Sequence, residues 1–205
     1  MMLRLRNSRW TAVLGLALTF LLLPSRADAH LPSIGLGPVY DGIFHLLLSP
    51  EDVIPVIAIA LLAGQKGAAF GRRVLWTVPL SWFVGGFIGM YSAHPRSSAL
   101  TCISFLVLGV WIASNLKISL PVLTGMSALL GLFHGYLNGT GVSRFDDGTY
   151  FLVGLALTVF VIVAVFSSLV IPLQRQWTRI VVRVAGSWIA ATGLLMLGWA
   201  FRRSP

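Results

Sequence analysis

Imidazole, carboxylate and carboxamide side chains recur at helical spacing in two stretches of this chain. Asp41 and His45 are four residues apart, and so are His134 and Asn138, so each pair would share one face of a helix. Asp52 lies a short step beyond His45, with Glu51 beside it. Imidazole together with carboxylate suits a divalent first-row metal ion such as nickel, cobalt, copper or zinc. A carboxylate that orients an imidazole through a hydrogen bond draws on the same residue types. So does a histidine that makes only an interhelical hydrogen bond, worth about 0.6–2 kcal/mol within a membrane. Spacing alone leaves these readings open for His45 and His134.

The elements that must position these groups are apolar. The 205 residues are 57% hydrophobic and 10% charged, with a mean hydropathy of +0.87, which excludes an ordinary soluble enzyme. A formal charge of +9 would suggest nucleic acid as the partner of a soluble protein. In so apolar a chain the basic residues mark cytoplasmic loops instead. Cys102 stands alone, which excludes an internal disulfide framework and a multi-cysteine metal centre. It reads as a small buried apolar residue.

Residues 1–29 have the layout of a secretory signal peptide: Arg4, Arg6 and Arg9, an apolar run from Trp10 to Leu23, and the ending Ala27-Asp28-Ala29. Cleavage there would make His30 the new N-terminus, with an α-amine and an imidazole that together favour copper. Residues 30–205 then form a single polytopic membrane domain. Ser49-Pro50-Glu51-Asp52 reads as a helix start, with Ser49 as N-cap, Pro50 at the first helical position and two acids in the first turn. A half-helix or re-entrant segment should therefore end near Leu48, and a helix should run from Pro50 to about Gln65.

The expected fold is an all-α integral membrane protein, a polytopic bundle of about six transmembrane helices plus that short segment. Six crossings put Lys66, Arg72, Arg73, Lys117, Arg175, Arg179 and Arg183 on the cytoplasmic side, against Arg96, Arg144, Arg202 and Arg203 outside. The histidines His30, His45, His94 and His134, and the acids Asp41, Glu51, Asp52, Asp146 and Asp147, then gather at the periplasmic face. Ionisable groups at membrane depth usually face a cavity, a partner or an ion path. Asp146, Asp147 and His94 fall in turns and read as solvated. No nucleophile elbow, zinc-protease helix or phosphate-binding loop is present, and Ser127 and Ser187 lack the glycine context of an intramembrane hydrolase. The protein is expected not to be an enzyme.

Several segments resemble the HupE/UreJ family. They are Ala27-Asp28-Ala29-His30, Asp41-Gly42-Ile43-Phe44-His45 running to Asp52, Ala63-Gly64-Gln65-Lys66-Gly67, and Leu132-Phe133-His134-Gly135 followed by Asn138-Gly139. The resemblance covers essentially the whole mature chain. It implies a small bacterial inner-membrane protein tied to hydrogenase and urease accessory functions, a nickel permease. By the same resemblance His45, Asp52 and His134 are the metal site with Asn138 beside them, while Asp41, from its spacing to His45, is a second supporting group and His30, from its chelating N-terminus, a further donor. This chain departs from the family pattern in a longer interval from His45 to Asp52. It also has Val53 in place of a second histidine and Asn138 where many members have another.

The expected function is thus a permease for a divalent transition metal, nickel before cobalt, copper or zinc, with a periplasm-facing His/Asp capture site. The alternative is a non-transporting membrane subunit or assembly factor that anchors or metallates a periplasmic partner. The expected partners are the lipid bilayer, the metal ion and a periplasmic or membrane metalloprotein, with no nucleic acid and no organic cofactor.

Overall fold

The break between the first two helices organises the molecule. In the computed structural model, residues 35–92, 98–142, 147–173 and 176–203 are described. The signal segment 1–29, His30, His94 and Asp146 lie outside them. Every regular element among the described residues is a helix: α1 (Pro38–Leu48), α2 (Pro50–Lys66), α3 (Ala68–Met90), α4 (Ser98–Ser114), α5 (Leu120–Val142), α6 (Gly148–Val170) and α7 (Gln176–Arg203). Only Ser49 separates α1 from α2. The following Pro50 disfavours a helical conformation at Ser49, which takes φ −102° and ψ 93°, and the two helices meet at 77°. This matches the expected half-helix and helix start, although Ser49 makes no side-chain capping bond. At the far end of α2, Gly67 with φ 107° closes the helix and turns the chain into α3.

By length and composition, four segments are able to cross a bilayer: Ala68–Met90, Leu120–Val142, Gly148–Val170 and Arg179–Arg202. The bent pair of α1 and α2 makes a fifth if it is one span. About six were expected from the sequence. That number is reached only by counting α2 and α4 as separate crossings. Each has 17 residues, about 25 Å of helix at 1.5 Å per residue, short of an apolar core about 30 Å thick. The outward surface is apolar, with Leu80, Leu129, Trp188 and Leu195 all more than half exposed. A surface of this kind is at home in lipid and not in water.

The helices pack at backbone distance. A Cβ on Gly135 of α5 would overlap the Trp82 carbonyl of α3, and one on Gly139 would overlap that of Gly86. Likewise, Gly42 of α1 lies against the Phe151 carbonyl of α6. Small residues let membrane helices approach this closely, and van der Waals contact then supplies the attraction. Two substitutions in α5 separate packing from helix propensity. Gly135→Ala must push α5 off α3 and should cost about 1–3 kcal/mol as overpacking. Gly125→Ala adds a Cβ that meets nothing within 4 Å and should be neutral or stabilising by up to about 1 kcal/mol. Thermal unfolding of both variants in the same detergent checks the difference.

Candidate functional site

The break at Ser49 places His45 in the last turn of α1 and Asp52 in the first turn of α2, both turned toward α5. There His134 and Asn138 present one face, and the four side chains meet. His134 Nδ1 donates to Asp52 Oδ1 at 2.9 Å, and Asn138 Nδ2 donates to Asp52 Oδ2 at 3.1 Å. The same Asn138 amide also donates to the His134 carbonyl at 2.9 Å. With its NH2 group turned to two acceptors, Asn138 offers Oδ1 to His45, whose Nε2 donates at 2.7 Å. His45 Nε2 stands 4.0 Å from Asp52 Oδ2.

Burial makes this network demanding. Asp52 is 5% exposed, Asn138 2% and His134 0%, whereas the His45 side chain retains 16%. A carboxylate removed from water must be compensated by hydrogen bonds and nearby positive charge. Asp52 has two side-chain donors and also sits in the first turn of α2, where the helix dipole favours an anion. Aromatic rings fix the imidazoles. Trp82 stacks on His134 with centroids 5.4 Å apart and 27° between planes, Phe133 meets it edge-on at 5.2 Å, and Phe151 lies 5.5 Å from the His45 ring. Asp41 stands one turn before His45 on α1, half-buried, and Glu51 is exposed.

Ser104 of α4 joins the cluster and had no signal in the sequence. Its Oγ lies 3.2 Å from His134 Nε2, which together with the His134–Asp52 bond gives the atom order of a Ser-His-Asp triad. With Nδ1 donating to Asp52, the neutral His134 ring leaves Nε2 as an acceptor, so the single hydroxyl hydrogen of Ser104 faces two acceptors, Nε2 and the Thr101 carbonyl at 2.7 Å. The hydroxyl can give its hydrogen to only one of them at a time, and the shorter contact is the backbone one. Ser127 and Ser187, the serines weighed from the sequence, donate to backbone carbonyls one turn back on their own helices, at 2.8 and 3.2 Å.

The residues named as ligands are therefore gathered, but as a closed hydrogen-bonded set and not as an open one. Among the described residues, no three His, Cys, Asp or Glu side chains are arranged to hold a metal ion. The physical reason is that the donor atoms already satisfy one another. Two ligands of a tetrahedral ion with bonds of about 2.1 Å stand about 3.4 Å apart. The 4.0 Å between His45 and Asp52 is too wide by roughly half an ångström.

Comparison with known proteins adds a family. The profile described as HupE / UreJ protein matches residues 18–196. Protein HupE of Rhizobium leguminosarum bv. viciae is 26% identical over 185 residues, covering 88% of this chain and 94% of that protein. No solved structure matches.

The buried carboxylate is the most sensitive member of the network. Asp52→Ala strips the acceptor from His134 and Asn138 at once, and should cost about 3–5 kcal/mol as the breaking of a buried pair. Thermal unfolding in detergent measures it. His45→Ala, at the exposed margin, should cost about 0.5–1.5 kcal/mol, the worth of one hydrogen bond.

Proposed function

Because the chain belongs to the HupE / UreJ protein family, we propose that it is a multi-pass membrane permease for a divalent transition-metal ion. Nickel ranks first, before cobalt, copper and zinc. His45, Asp52 and His134 form the capture site, at the periplasmic face of a bacterial inner membrane. The observation that supports this reading is the meeting of these three side chains with Asn138 at the α1–α2 break.

The geometry suggests how the groups divide the work. His45 is the only member with appreciable exposure, so an arriving ion meets it first. Its Nε2 carries the proton donated to Asn138, so ligation requires the ring to leave Asn138 and shift its proton to Nδ1. The freed nitrogen and Asp52 Oδ2 would then close on one ion by roughly half an ångström from their 4.0 Å separation. His134 holds Asp52 Oδ1 and so keeps Oδ2 turned toward His45. A histidine and carboxylate coupled in this way fix ligand orientation and raise ligand basicity. Asn138 is a gatekeeper in this scheme, since it must give up one bond when the ion arrives. Asp41, one turn from His45, adds negative charge at the entrance.

One observation favours a second reading. The closed network is also what a non-transporting membrane subunit would have, in which these groups only lock α1, α2 and α5 together beneath a docked periplasmic partner.

Flux separates the two. Proteoliposomes loaded with a metal-sensitive dye and given nickel, cobalt, copper and zinc in turn should show selective entry. His45→Ala and His134→Ala should each reduce it at least about tenfold, the scale seen when groups that hold a metal ligand are lost. Ser104→Ala should leave flux within a factor of about three, the loss of one neutral hydrogen bond. Absence of flux from folded parent protein would overturn the permease reading, and bound metal without flux would favour the subunit.

A further inference from the structure

A second charged cluster lies at the other end of α2, about 21 Å along the helix from Asp52. Lys66, the last residue of α2, faces Arg179 and Arg183 near the start of α7 across a pocket of about 250 Å³ that also includes Asn115. Lys66 Nζ donates to Asn115 Oδ1 at 3.0 Å, and Arg183 Nε donates to the Ala113 carbonyl at 2.7 Å. These bonds secure the C-terminal end of α4, where free carbonyls attract cations. Lys66 Nζ also donates to the Asn115 carbonyl at 3.5 Å, so one N–H of Lys66 and four of Arg183 are left for another acceptor. Arg179 adds a third charge that repels Lys66, one turn from Arg183, where like charges oppose each other.

Among the described residues, no acidic side chain stands beside them, and the sequence contains no Asp or Glu from Val53 to Phe145 or after Asp147. Asp41, Glu51, Asp52 and Asp147 all stand at the starts of α1, α2 and α6, at the opposite end of the bundle. The first turn of α7 contributes a further positive pole. The basic residues Arg72 and Arg73 at the same end of the bundle are exposed on α3 and do not line the pocket.

We propose that the pocket formed by Lys66, Arg179, Arg183 and Asn115 binds a phosphate group, either that of an anionic phospholipid or that of a soluble phosphate. Guanidinium groups match the oxygen geometry of phosphate, and an ammonium supplies a point charge beside them. A volume of about 250 Å³ falls just below the roughly 300–1,000 Å³ of pockets for drug-sized ligands. It suits one oxyanion or one headgroup and excludes a whole nucleotide. Basic pockets between membrane helices are also where anionic headgroups are held. The proposal is independent of whether a metal crosses the membrane.

Native mass spectrometry of the purified full chain in an uncharged detergent tests it, with phosphatidylglycerol, phosphatidylcholine and inorganic phosphate titrated separately. Phosphatidylglycerol or inorganic phosphate should bind at least about tenfold more tightly to the parent than to the Lys66→Gln/Arg179→Gln variant, the scale of a lost charged hydrogen bond. Arg72→Gln/Arg73→Gln, at the same end but outside the pocket, should bind as the parent does. Selective retention of phosphatidylglycerol over phosphatidylcholine that inorganic phosphate does not displace identifies the lipid as the source, and saturable binding of inorganic phosphate identifies the soluble one. Equal binding by parent and pocket variant, or equal losses in the two double variants, overturns the proposal. If the double variant unfolds, Arg179→Gln alone decides, because Arg179 is exposed and a loss of less than about threefold there, below one charged hydrogen bond, likewise overturns it.

Discussion

The Asp52 carboxylate is the interaction on which the arrangement of the helices around the α1–α2 break depends. An anion that is 5% exposed inside an apolar bundle is tolerable only with donors on both oxygens and a helix start beneath it. Meeting those needs commits three elements at once. The chain must break at Ser49 so that Asp52 falls in a first turn. His134 and Asn138 must share one face of α5, and α5 must come close enough to reach the carboxylate. His45 is then drawn in through Asn138 and not by Asp52 itself, which explains why it is the loosest member of the set.

Close approach of the helices is the second requirement, and it is met by omitting side chains. Where Gly135 and Gly139 of α5 face Trp82 and Gly86 of α3, backbone meets backbone, and the Trp82 ring slides over His134. The glycines therefore act on the polar cluster indirectly, by setting how far His134 stands from its neighbours. Hydrophobic burial does not discriminate one helix arrangement from another when the solvent is itself apolar. Shape and a few hydrogen bonds must do so, and here both are concentrated on α3, α5 and the α1–α2 break.

Much of this was legible beforehand. Ser49-Pro50-Glu51-Asp52 announces a helix start because proline tolerates only a few backbone positions, and Pro38–Leu48 followed by Pro50–Lys66 is what it produces. His134 and Asn138 were visible as one face because the period of a helix is a local property. The pairing of that face with Asp52 and His45 is a long-range fact, and it followed from residue chemistry and family resemblance, not from pattern. Ser104 was invisible because one serine in an apolar helix carries no periodic signal. The arrangement of the donors was also out of reach: sequence names donor types but not whether they point at one another or at a space between them. By length and composition the described helices give four or five spans where loop charges point to six, because charge counting tests which side a loop occupies, whereas 17-residue helices such as α2 and α4 raise a question of length.

The single residue between α1 and α2 has a kinematic consequence. With helices on either side, Ser49 leaves only its own two backbone torsions to set the attitude of α1 to α2. His45 lies four residues back along α1, a lever arm of about 6 Å. Rotating that arm by about 6° carries the imidazole through roughly 0.6 Å. That is the difference between the 4.0 Å gap to Asp52 and the spacing of a tetrahedral ligand pair. The arm lies along α6, where Gly42 meets the Phe151 carbonyl, the Phe151 ring stands 5.5 Å from that of His45 and Leu46 is fully buried. The spacing of the donor set is thus sensitive to two angles at one position, within the freedom that the packing of α1 on α6 leaves.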